Sequence, residues 1–368
     1  MSSNIYIFAG GGTGGHLYPA LAVAERLEAL QAGARVVFAC SNRPIDREVL
    51  APGGRPMVVQ PVRPLPRRPG QVPGFLLAWM RSARLARDMV RDLKPAAVLG
   101  LGGFAAGPLV RQAAKAGVRC ALLNPDAVPG RANLYLARYA GAIFTQFEQT
   151  SGCFPPSRRA KVHHVGCPVR RGLLNGSRQE AVGTFGLRPD RRTLLVLGGS
   201  LGAASVNEAL GALREDLEDV GEQWQLLHVT GPARADAPAI GGGRMHVVAV
   251  AYCHRMDLAY AAADLALCRA GASTMAELAA TGTPAVLMPY PHHKDRQQFL
   301  NAQPFAQAGS GVVCEDACDA AANADRLRRC LLPILGESAR LEAMRESARR
   351  LARPDAADQV ARWLAGAE

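Results

Sequence analysis

The sequence predicts an α/β protein made of two doubly wound parallel-sheet domains. Three observations carry that expectation. Short apolar runs end repeatedly in glycine-rich turns, alanine- and leucine-rich helical stretches follow those turns, and the pattern restarts near residue 193. Strand alternating with helix is the mark of a parallel sheet covered on both faces.

In chain order, Ile5–Ala9 reads as a strand and Gly10-Gly11-Gly12-Thr13-Gly14-Gly15 as a loop. A helix is expected from about Pro19, because proline is favoured at the first helical position. Its apolar set Leu21, Val23, Ala24 and Leu27 leaves Glu25, Arg26 and Glu28 to solvent, and Gly33 stops it. Strands follow at Arg35–Cys40, Ala96–Leu101, Val118–Leu123 and Ile143–Thr145, with a helix from about Pro108 after Gly102-Gly103-Phe104. The second half repeats the plan. Thr193–Leu197 runs into Gly198-Gly199-Ser200-Leu201-Gly202-Ala203 and a helix, and strands come at Trp224–Val229, His246–Ala249, Leu265–Cys268 and Ala285–Met288. The joint is placed near Val165-Gly166-Cys167-Pro168, giving domains of 1–165 and 166–352. Open sheets bind ligands beyond the carboxyl ends of their strands, so a cleft between the domains is expected.

Composition bounds the function. The 368 residues carry a net charge of +12, with 49% hydrophobic and 20% charged residues and a mean hydropathy near zero. No apolar run approaches the roughly 18 residues of a spanning helix, so membrane contact would be peripheral. The N-terminus lacks a basic n-region, and no signal peptide is expected. The cysteines are odd in number, scattered and without a CxxC pair, which points to a reducing cytosol. A basic chain favours an acidic partner: anionic lipid, a phosphorylated metabolite or nucleic acid. Only 5% of residues are aromatic and no nucleic-acid-binding motif occurs, so nucleic acid is disfavoured. The basic excess concentrates in 55–94, and the Pro- and Arg-rich run 61–74 reads as an ordered insertion or a mobile loop.

Gly10–Gly15 formally fits GxGxxG after a strand, a pattern that also arises from a plain tight turn. The dehydrogenase reading requires an acid near the end of the second strand. That strand ends Cys40-Ser41-Asn42 and the first acid beyond it is Asp46, so such ribose recognition is unsupported. No GxxxxGK[ST] motif occurs. What remains is a loop of bare amides suited to a phosphate or a sugar packed against backbone. His16, directly after the loop and before the helix, is the candidate general base. Gly198–Ala203 is a second such loop, with Ser200 either a helix cap or a hydroxyl that donates a hydrogen bond to a phosphate. Thr274 with Glu277 fits a capping box; alternatively Glu277 accepts both hydroxyls of a ribose while the Ser273 and Thr274 amides meet phosphate. Gln297 and Gln298 suit the reading of sugar hydroxyls. His292 and His293 lie adjacent, so their side chains diverge, and no third ligand is suitably spaced; no metal is expected. Val72–Arg91 interleaves Phe75, Leu76, Leu77, Trp79, Met80 and Leu85 with Arg81, Arg84, Arg87 and Arg91. That is either an ordinary surface helix or one lying on an anionic membrane, with Phe75, Trp79, Arg81 and Arg84 as contacts.

Taken together, these segments resemble the family 28 glycosyltransferases of peptidoglycan synthesis. The matching residues are Gly11–Pro19, Gly102–Pro108, Ala127–Asn133, Val165–Arg170, Gly198–Ala203, Arg269–Thr274 with Glu277, and Asp295–Ala302, in family order over nearly the whole chain. The resemblance implies a GT-B architecture of two Rossmann-like domains, with a C-terminal helix in 353–368 returning to the first. It implies inverting transfer of N-acetylglucosamine from UDP-N-acetylglucosamine, held by the second domain, to lipid I (undecaprenyl-pyrophosphoryl-N-acetylmuramoyl-pentapeptide). The product would be lipid II, made without a cofactor. By motif match, Arg170 and Ser200 would contact the diphosphate, Cys253 the uracil by backbone, and Glu277 the ribose. Ala272, Ser273, Thr274, Met275 and Ala276 would form the phosphate-facing helix start, and Gln297 and Gln298 would read the sugar. Thr13, Gly14 and Gly15 would line the transfer site beside His16. The implied place is the cytoplasmic face of the bacterial plasma membrane, with the cell-wall and division machinery as partners. Two departures stand out. Leu123-Asn124-Pro125-Asp126 replaces the family's His-Glu-Gln-Asn, putting Asp126 where a sugar-binding asparagine is usual and leaving Asn124 as a substitute. Leu201 stands where glutamine is usual. Rival readings are a UDP-sugar transferase with another acceptor, a nicotinamide oxidoreductase, and a non-catalytic nucleotide-sugar-binding scaffold.

Overall fold

The computed structural model describes residues 4–199, 202–231, 243–292 and 295–367. The chain divides into two compact units, Met1–Arg170 with Arg353–Glu368, and Arg171–Ala352. Arg170 thus groups with the first unit.

The first unit holds seven strands: β1 (Ile5–Ala9), β2 (Arg35–Cys40), β3 (Met57–Val59), β4 (Ala97–Gly100), β5 (Arg119–Asn124), β6 (Ala142–Thr145) and β7 (Val162–His164). They pair in the order β3-β2-β1-β4-β5-β6-β7, all parallel. The second unit holds β8 (Arg192–Leu197), β9 (Trp224–Val229), β10 (His246–Val250), β11 (Ala263–Cys268), β12 (Ala285–Leu287) and β13 (Gly311–Val313). Their order is β10-β9-β8-β11-β12-β13, again all parallel. Each order reverses beside its first strand, between β1 and β4 and between β8 and β11. A doubly wound sheet opens its ligand crevice at that point.

The strands are apolar runs rather than alternating ones because helices cover both faces. Ile7, Phe8, Val98 and Leu122 are fully buried in the first sheet, as are Leu195, Val196, Leu265 and Leu267 in the second. The strands missing from the sequence reading, β3, β7 and β13, are three residues each and lie at or near sheet edges. The nine cysteines form no disulfide. Burial pushes those of Cys40, Cys120 and Cys268 up to about 12, so they act as small apolar side chains.

Both helix starts inferred from proline need correction. Helix α1 covers Gly14–Leu30 with Pro19 inside it, so His16 sits in its first turn rather than ahead of it. Pro108 likewise lies inside α4 (Gly103–Lys115); between these come α2 (Pro44–Leu50) and α3 (Val72–Leu93). A proline's ring presses on the carbonyl four residues earlier, and those residues here are Gly15 and Phe104 near the first turns. The helices therefore begin at the glycine loops themselves, which directs their first amides to the crevice edge.

The C-terminal helix Ala356–Ala365 packs against α1 in the first unit. Val360, Ala361 and Leu364 enter the core, Arg26 pairs with Asp358, and Trp363 meets Phe144 edge-on at 6.1 Å. Gly166 permits this return, since a Cβ there would lie 2.4 Å from that of Arg353.

Candidate active site

In the first unit the loop after β1 is shaped by three glycines with positive φ, Gly10, Gly11 and Gly12. A Cβ on Gly10 would lie 2.7 Å from that of Leu101, so the loop can press against the end of β4 only without side chains. A residue that the sequence offers only as an acid misplaced for ribose binding fixes it further. Asp46, in the first turn of α2, is fully buried. It accepts from the Gly12 amide on one oxygen and from Ser41 Oγ on the other at 2.7 Å. Arg43 donates to the Gly12 carbonyl at 2.9 Å and lies over the Phe104 ring. The spacing that argued against ribose recognition is thus the spacing of a loop brace. His16 presents Nδ1 to the Gly11 carbonyl at 3.3 Å and to Thr13 Oγ1 at 3.4 Å. Gly14 and Gly15 form the first helical turn beside it.

On the neighbouring crossover, Asn124 is buried and donates to the Asp126 carbonyl at 2.7 Å while accepting from Asn133 at 2.9 Å. The Asn124 amide is thus engaged in shaping this loop. Asp126 is half-buried at the loop's surface. Arg170 stacks its guanidinium over the Tyr18 ring at 4.7 Å.

In the second unit, the loop after β8 admits no side chain at Gly198, where a Cβ would lie 2.2 Å from the Ala203 nitrogen. The same holds at Gly202, with a Cβ 2.6 Å from the Thr230 carbonyl. Ser200 and Leu201 lie outside the described residues, as does His293. The helix after β11 spans Ala272–Thr281 with Gly271 as its N-cap. Thr274 is therefore already inside the helix, and the capping-box reading of Thr274 with Glu277 fails. Glu277 instead accepts from the buried Tyr260 hydroxyl at 2.8 Å. Ala272 and Met275 are buried, so only their backbone can face a ligand, whereas Ser273, Thr274, Ala276 and Glu277 are half-buried. Cys253 follows β10 as a buried thiol raised above its ordinary range by desolvation.

Three strand ends, those of β11, β12 and β13, meet on one ion pair. Arg269, after β11, contacts Asp316 and Ser205 at 2.8 Å each and donates to the Met288 carbonyl at 2.9 Å. Asp316 also accepts from Asn323 and from the Cys318 amide. Burial alone would raise its pKa, but those donors, Ser205 and Arg269 outweigh it and hold Asp316 at about 2. Gln297 and Gln298 open the helix Gln297–Gln307, and Gln298 accepts from the Tyr290 amide at 2.8 Å. Among the described residues no cluster of three metal-ligating side chains forms.

The long amphipathic helix α3 leaves Leu76, Leu77 and Met80 exposed, with Leu65 and Val72 nearby in sequence and Arg81 and Arg84 at the surface. Phe75 and Trp79 are only partly exposed, and the Trp79 ring lies against Gly107 of α4. Among the described residues no helix is long and apolar enough to cross a membrane.

Two parallel-sheet units, each with a glycine-rich loop leading toward a helix at its switch point, have the architecture of the GT-B glycosyltransferases. Residues 6–145 match the glycosyltransferase family 28 N-terminal domain and residues 193–360 its C-terminal domain, and the chain belongs to that family. Among its relatives is the UDP-N-acetylglucosamine–N-acetylmuramyl-(pentapeptide) pyrophosphoryl-undecaprenol N-acetylglucosamine transferase of Nocardioides sp., 38% identical over 97% of this chain and 96% of the relative. The like-named protein of Streptomyces coelicolor is 36% identical over 96% and 95%. The crystal structure of Acinetobacter baumannii MurG superposes with a TM-score of 0.72 at 26% identity, over 98% of this chain and 99% of that one.

Proposed function

We propose that the chain transfers N-acetylglucosamine from UDP-N-acetylglucosamine to an undecaprenyl-pyrophosphoryl-N-acetylmuramoyl-pentapeptide acceptor. The observation that carries this is full-length similarity to enzymes named for that transfer, with family residues at both switch points.

In the second unit Glu277 takes the ribose hydroxyls, an acceptor-only group meeting two donors. The helix start at Ala272–Ala276 and the glycine loop around Ser200 offer amides to the diphosphate, and departing UDP is stabilised as its charge grows. Cys253 meets the uracil through its backbone, and Gln297 and Gln298 read the sugar. In the first unit Thr13, Gly14 and Gly15 line the acceptor's approach, and His16 takes the proton from its hydroxyl. In-line attack on an α-linked donor gives a β-linked product. The apolar tip of α3, flanked by Arg81 and Arg84, rests on the anionic cytoplasmic leaflet, where a lipid-linked acceptor is found.

The test is transfer of labelled N-acetylglucosamine to a soluble acceptor carrying N-acetylmuramoyl-pentapeptide on a pyrophosphoryl lipid. Formation of the β-1,4 disaccharide is expected. Donor hydrolysis without transfer to this acceptor would reassign the acceptor.

A further inference from the structure

We propose that Asp46 is a positioning residue for His16, acting through the single peptide unit that joins Gly11 to Gly12. The inference rests on the reading of His16 as the base. The N–H of that peptide belongs to Gly12 and is donated to Asp46 Oδ1; its carbonyl belongs to Gly11 and faces His16 Nδ1 at 3.3 Å. One rigid plane therefore lies between a buried carboxyl group and the imidazole, and turning either end turns the other.

The surroundings hold that plane in one orientation. Ser41 Oγ donates to the second Asp46 oxygen at 2.7 Å, and Arg43 holds the next carbonyl, that of Gly12, at 2.9 Å. Gly11 has φ 136°, and a Cβ there would lie 2.9 Å from Asp46 Oδ1, so only glycine lets the backbone reach the carboxyl. Asp46 itself is fully buried on a short helix whose start is set by Pro44.

The chemical consequence concerns the imidazole tautomer. A carbonyl can only accept, so the proposal requires an uncharged His16 to carry its proton on Nδ1, with Thr13 Oγ1, 3.4 Å from the same nitrogen, accepting as well. The lone pair then sits on Nε2. As the acceptor oxygen bonds to the anomeric carbon and the bond to UDP breaks, the electron pair leaves with the diphosphate and the hydroxyl proton goes to Nε2. Outer partners that fix a histidine's tautomer in this way are a common requirement of its function.

The experiment combines nitrogen-detected NMR of the histidines, assigned with His16→Ala, and kinetics of Asp46→Ala, Asp46→Asn and His16→Ala. In the wild type, uncharged His16 is expected as the Nδ1–H tautomer; an Nε2–H tautomer would overturn the proposal whether or not the Asp46 variants fold. Asp46→Ala, if its melt shows it folded, should lose about ten- to hundredfold in kcat and mix the tautomers. Its KM for the UDP-sugar should stay within about twofold. Asp46→Asn can still accept from Gly12 and should restore most of kcat. Asp46→Ala should add nothing in the His16→Ala background. Wild-type kcat in Asp46→Ala, or additive losses in the double variant, would overturn the proposal. Full activity of His16→Ala would instead remove the reading of His16 as base.

Discussion

Tyr260 donates its hydroxyl to Glu277 Oε2 across 2.8 Å, from a buried phenol. Burial first, and the neighbouring Glu277 second, push that phenol well above its ordinary range. It is therefore a donor at every working pH, and it holds one carboxyl oxygen of Glu277. Tyr260→Phe should raise the KM for the UDP-sugar by about five- to tenfold, the worth of roughly 1 kcal/mol, with kcat little changed. Steady-state kinetics with the donor varied checks this; an unchanged KM would deny Tyr260 any part in placing Glu277.

The Arg269–Asp316 pair, with side chains 11% and 1% exposed, should be costly to break. Asp316→Ala leaves Arg269 without its counter-charge and is expected to cost about 3–5 kcal/mol in denaturant unfolding. Loss below 1 kcal/mol would show that the strand ends hold together without it.

The same group sets a pH dependence. Its pKa falls from 3.8 to about 2 on folding, so the folded state favours the charged form. The stability it confers is complete above about pH 4 and is lost as pH falls toward 2. It amounts to about 2 kcal/mol at neutral pH, for a side chain almost wholly buried. Asp316→Asn should flatten that limb of the acid-unfolding curve; an identical limb in the variant would assign it to other groups.

Membrane attachment is best tested on the residues that face outward. Replacing Leu76 and Met80 by serine should weaken binding to anionic vesicles by roughly 1.5–3 kcal/mol for each side chain buried in the wild type. Salt should weaken it as well, because attraction between Arg81, Arg84 and the surface is screened within about 8 Å at physiological ionic strength. Trp79→Ser is a poorer probe, since that ring packs on Gly107. Unchanged cosedimentation of the double variant would rule out an interfacial α3.

The C-terminal helix contributes to the core of the first unit. Leu364→Ala should cost about 2–5 kcal/mol, because the side chain is 1% exposed within that core. Thermal melting monitors the loss, and an unshifted transition would mean the helix is dispensable.

Much of this was legible in the sequence where one signal dominates. Apolar runs closed by glycine gave the inner strands and both ligand loops, because parallel strands are buried on both faces and the loops tolerate no side chain. Proline misled: at Pro19 and Pro108 it marks not the first helical residue but a position within the helix. The strands β3, β7 and β13 are three residues each and only partly buried, so no buried apolar run marks them as one marks the equally short β12. Asp46 was read as an acid in the wrong place, since nothing in one dimension shows that α2 folds back over the glycine loop. Tyr260 belongs to no motif; seventeen residues separate it from Glu277, and only the packing of two helices joins them. Thr274 and Glu277 have the spacing of a capping box, but Gly271 starts the helix three residues earlier.

A UDP-sugar transferase whose Glu277 reads the ribose is tested most directly by transfer to the lipid-linked acceptor from two donors. One is UDP-N-acetylglucosamine and the other is its 2′-deoxyuridine counterpart, each given to wild type and Glu277→Ala. The wild type should prefer the natural donor by about ten- to hundredfold in kcat/KM, the worth of a hydrogen bond to a charged group. Glu277→Ala should be slow with both donors and distinguish them hardly at all. A variant that still prefers the natural donor as strongly as wild type would contradict the assignment of Glu277 to the ribose.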